Sequence, residues 1–520
     1  MRRGIKIGVV GFLVLLIGGA GYLYYLTHDL NRVQVAGLHS AFNRGAEAGT
    51  ENILMVGSTS RCALAVQNPA YGLCSQGVNG VNSDVMMILH VDPTHHRLAL
   101  LSIPRDLFVP NARGNGPNKV DAGLVEGISQ VVASIEEDLG IPIQHAVSLN
   151  FDQFANIVDA LGGINMAFPE SVFDAESGLN VQVAACVHLS GTQALQVVRA
   201  RHLQYKGDST NHYAEDWPQE AQSDLARIRR DHEFLRVLAS AAAKKNLANI
   251  ISDIGLINSV KSDLTFDQSW SVNDMAHLVL DFHSVDINSV PQLTLPVAEV
   301  TDPNGVDGTL IYGGAAYGQV EFPVQSQDQA IIDQVLGIGP GVDSMTGEKL
   351  PRPSSVTVSV MNGSGTANQA TDTATALGAL GFHTVGVGDT SPTGDVAETV
   401  VYYGSHSATA EAAAEAVARS ITGSILLAYD PTQIADGAQV TVVTGTQFTV
   451  SSPDARTTTT APGGASSTTT PAPTTTSVTA SQTAGPIGSP SVPNPGSAPW
   501  DPRACARRAV PTAPVANPTF

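Results

Sequence analysis

The sequence is poor in cysteine and in basic residues, and each shortage excludes a class of protein. Four cysteines in 520 residues are too few for a disulfide-scaffolded fold, and their spacing matches no zinc-binding pattern. Lysine and arginine number 27 against 47 acidic residues, which gives a formal net charge of −20. Proteins that bind nucleic acid neutralise its phosphates with clustered lysine and arginine. We therefore expect no nucleic-acid partner.

Large apolar residues are almost absent from the C-terminal segment, residues 451–520, which is mainly Thr, Ser, Pro and Ala. Such a composition cannot bury enough apolar surface to offset the entropy cost of folding. The segment is predicted to be a disordered tail that is dispensable for activity in vitro. The sequence offers no explanation for Cys505, which lies within it.

One long hydrophobic run is present, at the N-terminus. Three basic residues precede an uncharged stretch from Ile7 to Leu26, and at about 1.5 Å per residue this length spans roughly the 30 Å core of a bilayer. Basic residues flank only its N-terminal side, and tyrosines lie near its far end. Residues 1–28 are thus predicted to be a cytoplasmic start and a single-pass anchor in the cell membrane, with the bulk of the chain extracytoplasmic. A cleaved signal peptide is the alternative, but the run exceeds a typical h-region.

The remainder has enough hydrophobic residues, 43% of the whole chain, for two folded cores. The predicted segments are a juxtamembrane connector (29–50), a first domain (51–324), a linker rich in Gly, Asp and Pro (325–355) and a small α/β domain (356–450). In the first domain, NILMVG, VMMILHV and LALLSI are nearly continuous apolar runs, typical of strands covered on both faces. The short DPTHHR connection predicts that the second and third strands form an antiparallel hairpin.

Helical patterns follow these strands in the first domain. They cover Asp121 to Leu139, Phe151 to Leu161, Gly191 to Leu203 and Gln222 to Ala243. The predicted fold class is therefore α/β, with a central mixed β-sheet sandwiched between helices and a smaller C-terminal α/β domain.

Polar residues at the strand ends are expected to meet at one edge of the sheet, the usual ligand crevice in α/β folds. They are Ser58, Thr59 and Arg61 after the first strand, Asn82, Ser83 and Asp84 before the second, and Arg105 and Asp106 after the third. Further arginines are concentrated in VVRARH and DLARIRRDHEF. Arginine matches phosphate oxygens bidentately, and carboxylates among arginines suit Mg²⁺ with a diphosphate. The alternative is that these arginines lie on solvated helix faces or in surface ion pairs.

Seven blocks of this sequence resemble the LytR-CpsA-Psr family. They are NILMVGSTSR, NSDVMMILHVDP, LLSIPRDLFV, NKVDAG, NFDQFANIVDALGGI, LSGTQALQVVRARH and DLARIRRDHEFL, in this order. The later unit containing VSVMNGSG resembles the separate C-terminal domain often found with actinobacterial members.

This resemblance implies a phosphotransferase that moves a glycopolymer from a membrane polyprenyl-pyrophosphate carrier to peptidoglycan, with pyrophosphatase activity as a possible accompaniment. The actinobacterial character suggests arabinogalactan as the polymer, although teichoic-acid-like or capsular chains fit the chemistry equally well. The implied cofactor is Mg²⁺, bound by Asp84. The implied pyrophosphate contacts are Arg105, Arg199, Arg201, Arg227 and Arg230, with Arg61 and Lys119 as further basic positions. Asp106 either orients an arginine or accepts the acceptor's proton, and we favour the orienting role.

The sequence departs from the family pattern at three places. Thr59 stands in the block where the family usually has a metal-binding carboxylate, Asn82 stands where it usually has arginine, and Asp231 and His232 replace a usual pair of glutamines. A threonine hydroxyl can ligate Mg²⁺, so Thr59 is predicted to join Asp84 at the metal. The departures leave open a second hypothesis, a non-catalytic or weakly catalytic binder of polyprenyl-linked polymers or cell-wall partners.

Cysteine positions give two further expectations. Cys62 and Cys74 are close in sequence and outside the membrane could form a disulfide, which for a loop of this size contributes about 3 kcal/mol. Cys186 lies in the apolar stretch VQVAACVHL and is expected to be a buried small apolar residue.

Overall fold

A computed structural model of the chain provides the structure. It describes residues 30–40, 48–58, 74–76, 81–220, 223–244, 264–282, 285, 289–299, 309–312, 315–323, 325–390, 399–423, 425–445, 448–450, 498–506, 509 and 511. The predicted anchor, residues 1–28, lies outside this set. Within it, no helix has the length and apolar character needed to cross a membrane.

Strands and helices alternate through the first domain. Its strands are β1 (Asn31–Val33), β2 (Glu51–Ser58), β3 (Ser83–Asp92), β4 (Arg97–Ile103), β5 (Phe108–Arg113), β6 (Gly116–Lys119), β7 (His145–Leu149), β8 (Ile164–Phe168), β9 (Val172–Asp174), β10 (Leu179–Val181), β11 (Ala185–Leu189), β12 (Gln204–Tyr205), β13 (Thr265–Asp267), β14 (Gln292–Thr294), β15 (Val297–Glu299), β16 (Ile311–Tyr312), β17 (Ala315–Ala316) and β18 (Glu321–Pro323). Its helices are α1 (Ile128–Leu139), α2 (Phe151–Ala160), α3 (Gly191–Arg199), α4 (Ser223–Lys244) and α5 (Val272–Phe282).

Seven of these strands form a central mixed sheet in the order β1-β13-β7-β2-β3-β4-β14. The predicted hairpin is confirmed, because β3 and β4 pair antiparallel from Met86↔Ile103 to Asp92↔Arg97. Strand β2 pairs antiparallel with β3 and parallel with β7. The three apolar runs read from the sequence are therefore neighbours at the centre of the sheet.

Both faces of the sheet are covered, as predicted. Side chains alternate across a strand, so Leu54 enters one core with Val131 and Ile135 of α1. Its neighbour Ile53 enters the opposite core with Trp270. Each aliphatic side chain buried in this way contributes about 1.5–3 kcal/mol relative to an exposed one. The mixed sheet between helical layers is thus stabilised from both sides.

Two predicted connecting segments belong to the folded domain instead. The assignment of residues 29–50 as a connector was wrong for β1, which pairs in parallel with β13 at the sheet edge. The assignment of 325–355 as a linker was wrong for helix α6 (Gln325–Leu336). Apolar side chains at 331, 332, 335 and 336 enter the main core of the first domain, and their spacing is that of one helix face.

The C-terminal domain contains helices α7 (Gln369–Ala379) and α8 (Ala408–Ala418). Its strands are β19 (Thr357–Asn362), β20 (His383–Asp389), β21 (Thr399–Tyr403), β22 (Ile421–Gly423), β23 (Ile425–Tyr429), β24 (Val440–Thr444) and β25 (Phe448–Val450). Five of them form one sheet in the order β20-β19-β24-β21-β23, and β22 pairs with β25. Val400 and Leu426 join the main core of the first domain. Buried Arg419 forms an ion pair with Asp333 of α6 at 3.0 Å. The two domains therefore share a packed interface.

Part of the predicted disordered tail is ordered, so that prediction was wrong for residues 498–506. Strand β26 (Arg503–Ala504) pairs antiparallel with β8, and Cys505 forms a disulfide with Cys186. The expectation that Cys186 is only a small buried apolar residue was therefore also wrong. Cys74 is disulfide-bonded, whereas its predicted partner Cys62 lies outside the described residues.

Candidate active site

The strand ends meet at one edge of the central sheet, and this edge carries the polar residues. Ser58, at the end of β2, pairs across a register shift with Ser83, at the start of β3. Strand β4 ends at Ile103, so Arg105 and the start of β3 come to the same edge. The topology therefore brings Asp84 next to Arg105, although they are separated by two strands along the chain.

Asp84 lies between two arginines. Arg105 donates from Nη1 to Asp84 Oδ1 at 2.5 Å. Arg227 donates from Nη2 to the Asp84 main-chain carbonyl at 2.7 Å, and its Nη1 lies 4.0 Å from Asp84 Oδ1. The start of β3 is thus bound to helix α4 through a guanidinium group.

Asp106 contacts three cations. Lys119 Nζ lies 2.7 Å from its Oδ1, while Arg201 Nη2 and Arg105 Nε lie 3.2 Å and 3.5 Å from its Oδ2. Burial alone would raise the pKa of Asp106, but Arg105 and Lys119 outweigh it and hold this pKa below its ordinary value. Asp106 is therefore an anion at neutral pH that fixes the directions of its basic neighbours, an arrangement that fits the orienting role.

Asp224, in the first turn of α4, is a member of the site that the sequence reasoning did not single out. Its Oδ1 lies 3.0 Å from Arg227, 3.2 Å from Arg201 and 3.8 Å from Arg105. Within the described part of the chain, both carboxylate oxygens are buried and make no hydrogen bond of standard geometry. The available signal was its position three residues before Arg227, because residues at i and i+3 share a helix face.

These residues form one charged cluster, composed of Asp84, Arg105, Asp106, Lys119, Arg201, Asp224 and Arg227. Burial alone would lower the pKa of Arg105, but Asp84, Asp106 and Asp224 outweigh it and raise this pKa above its ordinary value. Burial would also lower the pKa of Arg227, but the nearby carboxylates, Asp224 foremost, outweigh it and raise this pKa. Arg105 and Arg227 are therefore permanent cations.

Asp121 is a second carboxyl group that the sequence reasoning missed. It is 3% exposed, and its main-chain N–H donates to the Arg105 carbonyl at 3.3 Å. Burial raises the pKa of Asp121 to about 7, against the lowering effect of Arg105. This carboxyl group can therefore exchange a proton near neutral pH, which is what a general acid or base requires.

Two of the predicted phosphate contacts have other partners in the structure. Arg230 is 1% exposed, and its guanidinium donates to Glu220 and to the Ala200 carbonyl, each at 2.5 Å. The Arg199 guanidinium lies 4.6 Å from the centre of the Phe151 ring. The described contacts thus bring Arg105, Lys119, Arg201 and Arg227 together with Asp84 and Asp106, but do not place Arg199 or Arg230 in the cluster. Thr59 and Arg61 lie outside the described residues.

Asp231 and His232, the departures in the last block, are buried beside the cluster. His232 Nε2 lies 2.7 Å from Ser102 Oγ on β4, which ties α4 to the sheet. Burial raises the pKa of Asp231 to about 8 despite the opposing effects of Arg227 and Arg230. Asp231 is therefore predominantly a neutral acid at pH 7.

The expected Mg²⁺ would bind among the side chains of the cluster. Among the residues that the structure describes, no three His, Cys, Asp or Glu side chains are grouped to hold a metal. Both ion pairs of Asp84 in this part of the chain involve Oδ1, which leaves Oδ2 for a cation. Because Mg²⁺ is usually bound by one or two carboxylates together with substrate phosphates, the residues present fit a metal ion that shares its ligands with a phosphorylated substrate.

Comparison with known proteins identifies two domain families. The LytR_cpsA_psr family model matches residues 27–321, and the model described as LytR cell envelope-related transcriptional attenuator matches residues 355–448. The probable cell wall biosynthesis protein LcpB of Corynebacterium glutamicum is 31% identical over 276 residues, which is 52% of this chain and 60% of LcpB. The cell wall biosynthesis protein LcpA of the same organism is 26% identical over 456 residues, 80% of each chain.

A solved structure, the LytR-Csp2A-Psr enzyme from Actinomyces oris, is 26% identical, with a TM-score of 0.41 over 52% of this chain and 88% of the other. A polyisoprenyl-teichoic acid–peptidoglycan teichoic acid transferase, TagU of Bacillus cereus, is 22% identical over 52% of this chain and 83% of its own length. The first family model alone covers more than half of the chain. The chain therefore belongs to the LytR-CpsA-Psr family.

Proposed function

We propose that this protein transfers a glycopolymer from a polyprenyl-pyrophosphate carrier to a hydroxyl group of peptidoglycan. The observation that carries the proposal is the charged cluster, in which Arg105, Arg201 and Arg227 converge within 4 Å of the single oxygen Asp224 Oδ1. Guanidinium groups held by fixed carboxylates are preorganised for phosphate oxygens. Membership of the family and the teichoic acid transferase function named for the TagU relative support the same reaction class.

In the proposed reaction the acceptor oxygen attacks the phosphorus atom that carries the glycopolymer. The bond from this phosphorus to the bridging oxygen breaks, and polyprenyl phosphate leaves with the bonding electrons. The cluster arginines neutralise the charge on the phosphate oxygens, since phosphoryl transfer depends mainly on positioning and charge stabilisation. Asp121, with its pKa of about 7, is the described carboxyl group best suited to accept the hydroxyl proton.

We assign the metal site of this reaction to Asp84, with Thr59 as the additional ligand expected from the sequence. When bound, Mg²⁺ would add positive charge beside the diphosphate oxygens. Attack by water in place of the acceptor would give the accompanying pyrophosphatase activity.

Anchoring by residues 1–28 would place the reaction at the outer surface of the cell membrane, where a polyprenyl carrier presents its polymer. The identity of the polymer as arabinogalactan stays a prediction. It is tested by asking which polymer detaches from peptidoglycan in cells that lack the protein.

The transfer itself is tested with the full-length protein in detergent, a polyprenyl-pyrophosphate-linked oligosaccharide and peptidoglycan fragments. Arg105→Ala is expected to lower the rate by about 10²–10³, the usual effect of removing one preorganised transition-state donor. The matched control is Arg352→Ala, which removes an exposed arginine outside the cluster. An Arg105→Ala rate equal to the wild-type rate would contradict the site assignment. Tight binding without turnover by the wild-type protein would support the binder hypothesis instead.

A further inference from the structure

Residues 498–506 form a strap that returns from the end of the chain to the first domain. Strand β26 within the strap extends the sheet of β8 and β11, and the Cys505–Cys186 disulfide attaches the strap to β11. The preceding 47 residues, 451–497, are rich in Thr, Ser and Pro. A segment that composition assigns to a disordered tail is therefore covalently joined to the domain that carries the charged cluster.

Trp500 of the strap contacts the segment that follows Arg201. Its ring stacks on Tyr205 with the ring centroids 3.7 Å apart and the planes within 4°. Its indole Nε1 lies 3.3 Å from Glu220 Oε2, to which it donates a hydrogen bond. Trp500 and Tyr205 are both half-buried. The stacked rings give apolar contact and the indole N–H fixes the direction of the Glu220 side chain, so Trp500 restrains this segment.

Glu220 extends this contact to the segment between Arg199 and Arg201. Its other oxygen, Oε1, accepts from Arg230 at 2.5 Å, and Arg230 in turn donates to the Ala200 carbonyl at 2.5 Å. The Glu220 N–H also donates to the Leu203 carbonyl at 2.9 Å. A continuous series of contacts therefore leads from Trp500 to the residue immediately before Arg201.

Asp501 and the strand of the strap contact helix α4. The Asp501 carboxylate binds Arg229 in a bidentate manner, with Nε–Oδ2 at 2.5 Å and Nη2–Oδ1 at 3.1 Å. The Ala504 N–H donates to Glu233 at 3.0 Å. Asp501 is 3% exposed, and breaking one partner of a buried ion pair is costly because the other charge stays buried. The strap thus supplies Arg229 with a second carboxylate, in addition to Glu220 at 3.7 Å.

The strap therefore touches both elements that supply arginines to the charged cluster. The loop after α3 carries Arg201 and helix α4 carries Arg227, and the two guanidinium groups meet at Asp224 Oδ1 with distances of 3.2 Å and 3.0 Å. A displacement of about 1 Å between reacting groups can lower a rate by about a hundredfold. The relative position of loop and helix is what the strap restrains.

We infer that Trp500 and Asp501 are positioning residues, which act through Glu220, Arg229 and Arg230 to place Arg201 against Arg227 for binding the substrate diphosphate. The inference rests on the proposed transfer function for its kinetic consequence. Its structural consequence, that the segment 200–205 is ordered by the strap, does not depend on that function.

The test uses the full-length protein in detergent with farnesyl pyrophosphate as the probe, and measures phosphate release as kcat and KM. Trp500→Ala is expected to raise KM about tenfold, because the arginines that bind the ground-state diphosphate are displaced. Trp500→Phe keeps an aromatic ring against Tyr205 but loses the hydrogen bond to Glu220, so it is expected to recover only the part of this loss that stacking prevents. Asp501→Asn keeps the volume but removes the charge that binds Arg229, and is also expected to raise KM. Arg503→Ala is the matched control with unchanged KM, since it removes an exposed side chain that bonds within the strap itself, to the Pro499 carbonyl at 2.9 Å.

Hydrogen–deuterium exchange of segments 200–205 and 223–230 is measured on the same variants. Faster exchange in Trp500→Ala and Asp501→Asn, but not in Arg503→Ala, together with the KM changes supports the inference. Exchange and KM equal to wild type in both variants overturn it, as does a fall in unfolding temperature with KM unchanged. If the wild-type protein neither binds nor cleaves the probe, the proposed function fails, and the exchange result still decides whether the strap orders segment 200–205.

Discussion

Replacing Asp231 by asparagine is expected to remove a defined part of the pH dependence of stability. The Asp231 carboxyl group is 3% exposed, and neither oxygen makes a hydrogen bond within the described part of the chain. Burial, reinforced by Asp224 and Asp84, raises its pKa from 3.8 to about 8 against the opposing effects of Arg227 and Arg230. Asparagine has nearly the same volume and carries no charge at any pH.

The sign of the effect follows from proton linkage. Because the folded-state pKa of Asp231 lies above the unfolded value, the folded state binds more protons between these two values, and the free energy of unfolding falls as the pH rises. This contribution is fully present below about pH 4 and is lost progressively up to about pH 8. A fully titrating group changes the free energy of unfolding by about 1.4 kcal/mol per pH unit, so between pH 5 and pH 8 Asp231 accounts for on the order of 3 kcal/mol.

Urea unfolding at several values between pH 5 and pH 8 measures the difference. The wild-type protein is expected to lose stability over this range, and Asp231→Asn is expected to lose about 3 kcal/mol less, with the variant more stable at the alkaline end. Asp208→Asn, at an exposed carboxyl group, controls for the change in net charge. Parallel pH profiles for wild type and Asp231→Asn would show that the buried carboxyl group is not the origin of the pH dependence.

Three further predictions concern the domain interface, the metal and the strap. Arg419→Met leaves buried Asp333 without its ion pair and should lower the free energy of unfolding by about 3–5 kcal/mol, and an unchanged urea midpoint would contradict this. Thr59→Asp should shift the Mg²⁺ dependence of transfer to lower concentration, because added ligand charge tightens cation binding, whereas identical metal titrations would place residue 59 away from the metal. Cys505→Ala opens the disulfide to Cys186, which closes a sequence separation of 319 residues, and should cost about 2–5 kcal/mol. Equal unfolding temperatures under non-reducing conditions would refute that estimate.

The sequence predicted the centre of the fold because its signals there are local and strong. The three apolar strands and the DPTHHR turn define the sheet, and the capping boxes at Asn150 and Ser190 start α2 and α3 close to the predicted positions. Helix α6 was missed because its N-terminal half is polar and the segment after it is rich in Gly and Pro. Together these features indicated a linker more strongly than the short apolar face indicated a helix. The strap was missed for a related reason, since Trp500 and Cys505 are isolated in a segment whose average composition indicates disorder.

For the charged cluster, the sequence identified most members but not their partners. Arginines stand out in an acidic protein, so Arg105, Arg201 and Arg227 were easy to select. Asp224 and Asp121 were harder, because acidic residues are common in this chain and only the three-dimensional structure shows which of them face arginines. Arg230 differs from Arg227 in its contacts, since their spacing predicts a shared helix face, whereas the Arg230 guanidinium donates to Glu220 and to the Ala200 carbonyl.

The contacts of the strap change what counts as the functional unit. Composition divides the chain into a transferase domain, an accessory domain and a tail, yet α6 and Val400 share the main core of the first domain. The strap supplies Asp501, whose carboxylate forms an ion pair with Arg229. It also supplies Trp500, which stacks on Tyr205 in the loop that follows Arg201. The arginines of α4 are therefore paired with carboxylates of the first domain and with Asp501 of the strap. A protein cut at the compositional boundary after Val450 would keep the arginines but lose the Asp501 carboxylate. Because removing one partner of a largely buried ion pair is costly, the strap belongs to the same energetic unit as the charged cluster.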